Sequence, residues 1–177
     1  PKAVRDTLNS ILHDGVIDLQ TMGLTEEEMR DTQQIYMIGC GSAYHVGVAA
    51  QYAVEDLAQV PVRVELASEF RYRRLLVGEK TLVVIISQSG ETADSLAALR
   101  AAKEHGAKTL AIVNVVGSSI AREADHVLYT LAGPEIAVAT TKAYSTQLAA
   151  TYVLALAFAQ ARGTVTAEEF RKLTAEL

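Results

Sequence analysis

Residues 82–92 read Leu-Val-Val-Ile-Ile-Ser-Gln-Ser-Gly-Glu-Thr, five apolar residues followed at once by a loop of hydroxyl, amide and glycine residues. A continuous β-branched run of this length is typical of a strand that is buried on both faces of a parallel sheet. The alanine- and leucine-rich stretch that begins at Ala93 predicts a helix. The segment therefore predicts one strand–loop–helix unit of an α/β fold.

The same alternation of short β-branched runs and longer helical stretches continues on both sides of this unit. The predicted strands are Gln34–Ile38, Val62–Leu66, Leu82–Ile86, Thr109–Val113 and His126–Thr130. The helices predicted between and after them are Ala43–Gln59, Ala93–His105, Ser119–Glu123 and Thr141–Ala161. This order predicts a three-layer α/β/α sandwich around a five-stranded parallel sheet with right-handed crossovers.

Helical segments also flank the predicted sheet. We expect helices at Ala3–His13 and Glu26–Asp31, the second with a capping box between Thr25 and Glu28, and a last helix at Ala167–Glu176 that Thr166 caps. The expected organisation is a helical lead-in over residues 1–32, a main domain over 33–163 and a C-terminal helix over 164–177. Because the chain starts at Pro1 and ends on a helix, we expect a piece of a longer protein with a second domain to follow.

Composition excludes several classes of protein. The 177 residues include 16 Lys and Arg against 21 Asp and Glu, a net charge of −5, which argues against nucleic-acid binding. The single cysteine, Cys40, cannot form an internal disulfide and favours a reducing, cytoplasmic compartment. The most apolar stretch covers only residues 148–159, whereas a membrane span needs about 20 apolar residues, so we expect a buried helix and no membrane contact.

The loop of residues 87–92, here called the hydroxyl loop, is the strongest candidate for a binding site. Ligands of parallel α/β sheets bind at the carboxyl ends of the strands, and a helix N-terminus attracts anions. Three hydroxyls and the Gln88 amide at such a terminus predict a phosphate site, and Gly90 lets the backbone approach the ligand. The alternative is that Ser89 or Thr92 only caps the helix. The loop has no lysine or arginine, which argues against nucleoside triphosphate hydrolysis.

The end of the first predicted strand offers a second loop. Residues 39–44 read Gly-Cys-Gly-Ser-Ala-Tyr, which resembles the start of a dinucleotide-binding turn. Tyr44 stands where that motif needs its third glycine, and Glu65 is the only candidate for a ribose contact. We therefore expect no nicotinamide cofactor, but a small ligand close to the backbone with Ser42 as a hydrogen-bond donor.

Reactive side chains near these loops give weaker alternatives. Cys40 is a conceivable nucleophile, although no partner is indicated and a small cysteine usually packs. His45 is the one histidine beside the predicted pocket and is an alternative general acid or base. The four histidines lack metal-ligand spacing, so no metal is expected.

Three further segments allow both structural and binding interpretations. Ser118 is expected to cap the helix that follows it. Thr140 and Thr141 either cap the long final helix or, in the case of Thr140, line the pocket. The arginines of residues 71–74 form a solvated face, a subunit contact or a clamp for an acidic ligand, in that order of preference.

Four motifs in sequence order resemble the sugar isomerase (SIS) domain family. They are Ser87–Thr92, Cys40–Tyr44, Ala67–Arg73 and Val138–Ala143. Together they are similar to the first SIS half of the isomerase region in the glutamine–fructose-6-phosphate aminotransferase family. The resemblance covers nearly the whole chain and implies a flavodoxin-like fold.

The resemblance also implies the ligand and its contacts. Fructose 6-phosphate or glucosamine 6-phosphate is the expected ligand, with no cofactor. The phosphate would contact Ser87, Gln88, Ser89 and Thr92, and the sugar would contact Ser42, Ala43, Val138 and Thr140. Ala43 lacks the hydroxyl that the family often has there, which puts a side-chain hydrogen bond from that position in doubt.

Finally, the resemblance implies that this chain works with other domains. In that family a glutaminase domain and a second SIS half complete the enzyme, and the second half carries the catalytic glutamate, histidine and lysines. We therefore expect no catalytic residue here, binding without turnover, and a homodimer. The alternatives are a sugar-phosphate sensor, which usually has a basic helix-turn-helix, and a stand-alone isomerase, which would need a Glu or His that residues 141–161 lack.

Overall fold

The computed structural model of the chain describes residues 1–136 and 140–177. Its helices are α1 (Lys2–Asn9), α2 (Leu19–Met22), α3 (Glu26–Asp31), α4 (Ser42–Ala58), α5 (Ala67–Phe70), α6 (Ala93–Glu104), α7 (Ser119–Glu123), α8 (Lys142–Arg162) and α9 (Ala167–Glu176). Its strands are β1 (Leu12–His13), β2 (Val16–Ile17), β3 (Gln34–Gly39), β4 (Val62–Leu66), β5 (Thr81–Ser87), β6 (Lys108–Val113) and β7 (His126–Tyr129).

The main sheet has five parallel strands in the order β4-β3-β5-β6-β7. This is the flavodoxin-like order, and the predicted fold class is confirmed. Each of the five predicted strands forms within one residue of its expected bounds. The chain moves from β3 outward to β4 and then back across to β5, so the connections diverge between β3 and β5 and leave a crevice above their carboxyl ends.

Two apolar layers cover the sheet, because alternate residues of each strand point to opposite faces. On one face Leu82, Val84 and Ile86 pack in a cluster with α4 and α8. On the other face Val83 and Ile85 pack in a cluster with α6 and α7. Every residue of β5 is buried, as its continuous apolar run predicts.

Helix α8 is the central helix of the first layer. Most of its residues are buried within the chain, including Leu154 and Phe158, and it packs along α4. The apolar stretch 148–159 is therefore buried within the fold, as predicted. Within the described residues, no helix combines the length and the hydropathy that crossing a bilayer requires.

The N-terminal segment differs from the prediction. The first helix ends at Asn9 rather than His13, because Leu12–His13 pairs with Val16–Ile17 in a two-stranded antiparallel hairpin. Asp14 and Gly15 connect these strands with φ angles of 51° and 76°. An Asp-Gly pair is the residue choice that a tight two-residue hairpin favours. The short helices α2 and α5 were also not predicted.

Candidate functional site

A cavity of about 220 Å³ lies at the carboxyl ends of β3 and β5, where the strand order reverses. Its walls come from the loop after β3, the hydroxyl loop after β5, the segment before α8, and α8 itself. The lining residues are Cys40, Ser42, Ala43, Ile86, Ser87, Gln88, Ser89, Thr92, Glu135, Thr140 and Gln147. A cavity of this size suits a small ligand better than a dinucleotide.

Seven of the eight predicted binding residues line this one cavity. They are Ser42, Ala43, Ser87, Gln88, Ser89, Thr92 and Thr140. The eighth, Val138, lies outside the described residues. Residues separated by almost 100 positions are thus brought together because β3 and β5 are neighbours and α8 packs over the same edge of the sheet.

Hydrogen bonds within the hydroxyl loop hold its side chains in place. The Ser87 hydroxyl accepts from the Gly90 amide at 3.1 Å and lies 3.4 Å from the Thr92 hydroxyl. The Ser89 hydroxyl accepts from the Glu91 amide at 3.2 Å. Thr92 occupies the N-cap position of α6, yet its side chain bonds none of the described helix amides. Capping therefore does not account for the Thr92 hydroxyl, which faces the cavity.

The backbone of the hydroxyl loop is fastened to the segment after β6. The Asn114 amide donates to the Gln88 carbonyl at 3.2 Å, and the Ile120 amide donates to the Gly90 carbonyl at 3.0 Å. The Glu91 carboxylate accepts from the Ser119 amide at 2.8 Å, and the hydrogen bonds from Ser119 lower the pKa of Glu91 below its ordinary value. These contacts fix the loop before any ligand arrives, which reduces the ordering that binding requires.

The opposite wall combines a hydroxyl and a carboxylate. Thr140 lines the cavity, and its hydroxyl donates to Glu135 Oε2 at 2.8 Å. The hydroxyl is therefore not used to cap α8. Thr141 occupies the N-cap position of α8, again without a side-chain bond to the described helix amides. At the start of α4, Ser42 is exposed and Ala43 is buried.

The electrostatics of the cavity divide it into two ends. No lysine or arginine is among its described lining residues, and Glu135 is the one lining residue that carries a charge. The hydroxyl loop provides neutral donors at the N-terminus of α6, where the helix dipole favours an anion. A phosphate is therefore best placed at the hydroxyl loop, and a ligand with hydroxyl donors suits the end near Glu135.

Comparison with known proteins places the chain in a family. Residues 28–157 match the SIS domain family. This chain belongs to the SIS domain family. The predicted family is thereby confirmed.

Named relatives of this SIS domain are longer proteins. The chain is 53% identical over 178 aligned residues to glutamine–fructose-6-phosphate aminotransferase [isomerizing] of Clostridium tetani, covering 100% of this chain and 29% of that protein. The corresponding protein of Mycobacterium tuberculosis is 53% identical over 177 residues, covering 100% of this chain and 28% of that protein. The chain thus spans less than a third of the length of these relatives.

A solved structure resembles this SIS domain closely. The C-terminal domain of glucosamine-fructose-6-phosphate aminotransferase from Francisella tularensis superposes with a TM-score of 0.95 at 42% identity. The match covers 99% of this chain and 50% of that one. Nearly the whole SIS domain, including its N-terminal hairpin and α9, therefore has a counterpart in that structure.

Of the side chains considered as alternatives, His45 and Glu65 lie outside the described cavity wall, whereas Cys40 is part of it. His45 is exposed, is absent from the described cavity wall, and packs edge to face against Tyr44 with ring centroids 5.2 Å apart. Glu65 is held by Arg73 through two hydrogen bonds of 2.6 and 2.7 Å, so it is not available for a ribose. Cys40 Sγ lies 3.8 Å from Ser95 Oγ, its one hydrogen-bond contact in the described part of the chain.

The arginine-rich segment is also partly structural. Arg71 pairs with Asp94 in the first turn of α6 at 2.6 Å, and Arg73 binds Glu65 and stacks over Tyr36 and Phe70. Two of the three arginines therefore stabilise the SIS fold itself and do not form a clamp for an acidic ligand.

Four lining residues of the SIS cavity lie outside the predicted binding set, and the two with strongly polar side chains are Glu135 and Gln147. Glu135 follows Gly-Pro in an irregular segment, where the sequence carries no periodicity that would orient it. Gln147 stands in a helix whose next turns are apolar, and an amide in a buried helical stretch was the available signal.

Proposed function

We propose that this SIS domain binds the phosphate and sugar of fructose 6-phosphate or glucosamine 6-phosphate as one part of a glutamine–fructose-6-phosphate aminotransferase. The observation that carries the proposal is the convergence of Ser87, Gln88, Ser89 and Thr92 on one cavity at the N-terminus of α6. These four side chains bind the phosphate. Ser42 donates to the sugar, the Thr140 hydroxyl, whose proton is bound to Glu135, accepts from a sugar hydroxyl, and Ala43 and Val138 line the sugar.

In the longer protein the bound ligand reacts with ammonia derived from glutamine. Ammonia condenses with the sugar carbonyl to an imine with loss of water, and a proton then moves between C1 and C2 to give the aldose amine. This domain holds the phosphate at the far end of the sugar, and such remote binding energy orients the reacting carbons. The acid–base groups of that step belong to the other domains, and no residue of this chain is assigned a catalytic role.

The partners of this domain are other parts of the same protein. We assign residues 33–163 to the binding domain, residues 1–32 to a helical lead-in, and residues 164–177 to a helix that leads towards a second SIS domain. The chain covers 50% of the Francisella C-terminal domain, which leaves length for a second unit of similar size. Its 29% share of the Clostridium protein leaves further length for a glutaminase domain.

A homodimer in the cytoplasm is the assembly that we propose. The lone and partly exposed Cys40 fits a reducing compartment. Tyr72 and Leu76 expose 78% and 68% of their surface on the segment after α5, which supports a contact there. Sedimentation velocity over a range of concentrations should show a dimer that the double change Tyr72→Ser and Leu76→Ser abolishes. A monomer at every concentration would count against the dimer.

A thermal-shift titration tests the ligand. Glucosamine 6-phosphate at 100 times its Kd should stabilise the chain by about 2.7 kcal/mol, a rise in Tm of about 5–10 °C, while glucosamine and NAD should have no effect. Ser87→Ala or Thr92→Ala should weaken binding by about 10- to 100-fold, since each removes a hydrogen bond to a charged group. Ser10→Ala, a serine bonded to the Thr7 carbonyl outside the cavity, is the matched control.

The same preparation distinguishes the alternative activity. A chain that binds without turnover should leave fructose 6-phosphate unchanged, with or without ammonia. Formation of an aldose phosphate by the purified chain, lost in Ser87→Ala, would instead identify a stand-alone isomerase.

A further inference from the structure

Gln147 is a buried polar side chain that the proposed binding set does not include. It lies in the second turn of α8, is 1% exposed, and lines the cavity. Its carbonyl oxygen, Oε1, has no hydrogen-bond partner among the described residues. A buried amide oxygen without a donor is costly, so a group that donates a hydrogen bond is expected from a ligand.

The other buried polar side chains of α8 show that this helix normally satisfies its own hydroxyls. Thr146 donates to the Ala143 carbonyl at 3.0 Å, and Thr151 donates to the Leu148 carbonyl at 2.7 Å. Both residues are fully buried. Gln147 lies between them in sequence and lines the cavity, yet its oxygen lacks such a bond. A purely structural amide would be expected to find a partner in the same helix or in α4.

The position of Gln147 separates it from the hydroxyl loop. Helix α8 packs with α4 on one face of the sheet, whereas the hydroxyl loop leads into α6 on the other face. The amide therefore approaches the cavity from the side opposite α6. Thr140 comes shortly before the start of α8 and is bonded to Glu135. Gln147 therefore belongs to the same wall of the cavity as these two residues.

The chemistry of the oxygen selects the part of the ligand that it meets. An amide oxygen only accepts hydrogen bonds, and a phosphate dianion also only accepts them, so the two cannot pair. A sugar hydroxyl or an ammonium group does donate. We propose that Gln147 accepts a hydrogen bond from a hydroxyl or amino group of the sugar, and that it makes the cavity prefer sugar phosphates over inorganic phosphate. This inference rests on the proposed function and adds a specificity-determining residue to it.

Gln147→Met tests the proposal because it keeps the length of the side chain and removes its polar atoms. Affinities are measured by calorimetry for inorganic phosphate, fructose 6-phosphate and glucosamine 6-phosphate. The variant should bind one or both sugar phosphates about tenfold more weakly, the loss expected for one hydrogen bond, and inorganic phosphate within a factor of two of the original chain. Thr151→Val, a buried polar change one turn further along α8, should leave all three affinities unchanged.

A set of deoxy analogues of the sugar phosphate gives a second readout. The analogue that lacks the contacted hydroxyl should bind the original chain about tenfold more weakly, and Gln147→Met should not weaken its binding further. A structural role for Gln147 would produce no such dependence on one hydroxyl.

Each other outcome overturns the inference in a recognisable way. Unchanged affinities in Gln147→Met, or equal weakening of all three ligands, would show that Gln147 only packs. If the original chain is folded but binds neither sugar phosphate, the proposed function fails as well, which the first two outcomes do not imply.

Discussion

Gly90 occupies the tightest point of the hydroxyl loop. Its φ is +67°, and a Cβ atom placed there would lie 2.0 Å from Ser118 Oγ and 2.5 Å from Ser118 Cβ. Ser118 stands at the N-cap of α7 as predicted, but its hydroxyl is buried without a partner in the described chain, and packing against Gly90 is its visible role. Both the backbone angle and the space therefore require glycine at this position.

Gly90→Ala should consequently destabilise the chain by about 2–4 kcal/mol, because it adds an overlap with Ser118 to the strain of a left-handed alanine. Gly106→Ala is the matched control, since Gly106 has a φ of +77° but nothing within 4 Å of the added atom, and about 1 kcal/mol is expected there. Urea unfolding measures both values. Equal losses in the two variants would show that the overlap with Ser118 has no effect.

At the level of single residues, the sequence predicted the cavity residues of the two loops after β3 and β5 better than those of α8 and the segment before it. Hydroxyl, amide and glycine residues between a strand and a helix have a direct chemical meaning, which is why Ser87 and Thr92 were found. Gln147 and Glu135 could not be placed in the same way, since their roles depend on how α8 and the segment before it lie over the sheet. That arrangement is tertiary, and no local pattern encodes it.

Among the elements, β6 and β7 are connected by a side-chain network around Asp125. Its carboxylate accepts from the Thr109 amide at 3.0 Å and the Thr109 hydroxyl at 2.7 Å, and it pairs with Lys103 at 2.9 Å. Burial would raise the pKa of Asp125, but the hydrogen bonds from Lys103 and Thr109 outweigh it and hold the pKa below its ordinary value of 3.8. The folded chain thus favours the ionised form.

A lowered pKa in the folded state means that the stabilisation by Asp125 is fully present above pH 3.8 and is lost as the pH falls through the folded pKa. Asp125→Asn should therefore cost about 1–2 kcal/mol at pH 7, and the difference from the original chain should shrink below about pH 4. Asp56→Asn, an exposed change on α4, should show no such dependence. Urea unfolding at several pH values measures this, and a constant difference down to pH 2.5 would contradict it.

Helices α3 and α8 are joined at their C-terminal ends by Arg162. Its Nη1 donates to the carbonyls of Met29, Arg30 and Thr32 at 3.3, 3.0 and 3.0 Å. These carbonyls lie at the end of α3, where a helix has no partners of its own for them. The guanidinium at the end of α8 therefore supplies hydrogen-bond donors to the terminal carbonyls of α3, about 130 positions earlier in the sequence.

Arg162→Ala should lower the free energy of unfolding by about 2–3 kcal/mol, because it removes charged hydrogen bonds and leaves partly buried carbonyls unpaired. Arg162→Lys should recover only part of this loss, since an ammonium group cannot reproduce the planar geometry. Arg171→Ala, an exposed arginine on α9, is the control and should change stability by less than about 0.5 kcal/mol. Similar losses for the two alanine variants would rule out a specific role for Arg162.

Elements that carry a strong periodic pattern were predicted from the sequence, and the irregular N-terminal segment was not. The buried strands formed within one residue of their expected ends, since a continuous apolar run can satisfy its backbone and its side chains only inside the sheet. The hairpin was missed, and its first strand, Leu12–His13, was assigned to the preceding helix, because each of its strands has only two residues. Its Asp-Gly turn was a signal that the helical pattern obscured.

At the scale of the whole molecule, the helical lead-in of residues 1–32 packs into the core of the binding domain. Six of their apolar side chains lie in the cluster that α8 and the sheet share: Leu8, Ile11, Ile17, Met22, Leu24 and Met29. The Leu131 amide also donates to the Thr7 hydroxyl at 2.9 Å, which connects α1 to the segment that follows β7. Helix α9 contributes fewer side chains: among the described residues, Phe170 is its one buried member of the same cluster.

Two truncations test this view of the molecule. Removal of residues 1–32 takes six buried side chains out of the core, each with a burial gain of about 1.5–3 kcal/mol, and uncovers the apolar surfaces against which they pack. A chain that begins at residue 33 should therefore show no cooperative unfolding transition, because the α1- and α3-facing sides of α8 become exposed. Removal of residues 164–177 should instead leave a folded chain that is less stable by about 2–4 kcal/mol, since one large side chain is lost from the core. A cooperative transition in the first truncation would mean that the sheet and α8 form an independent unit.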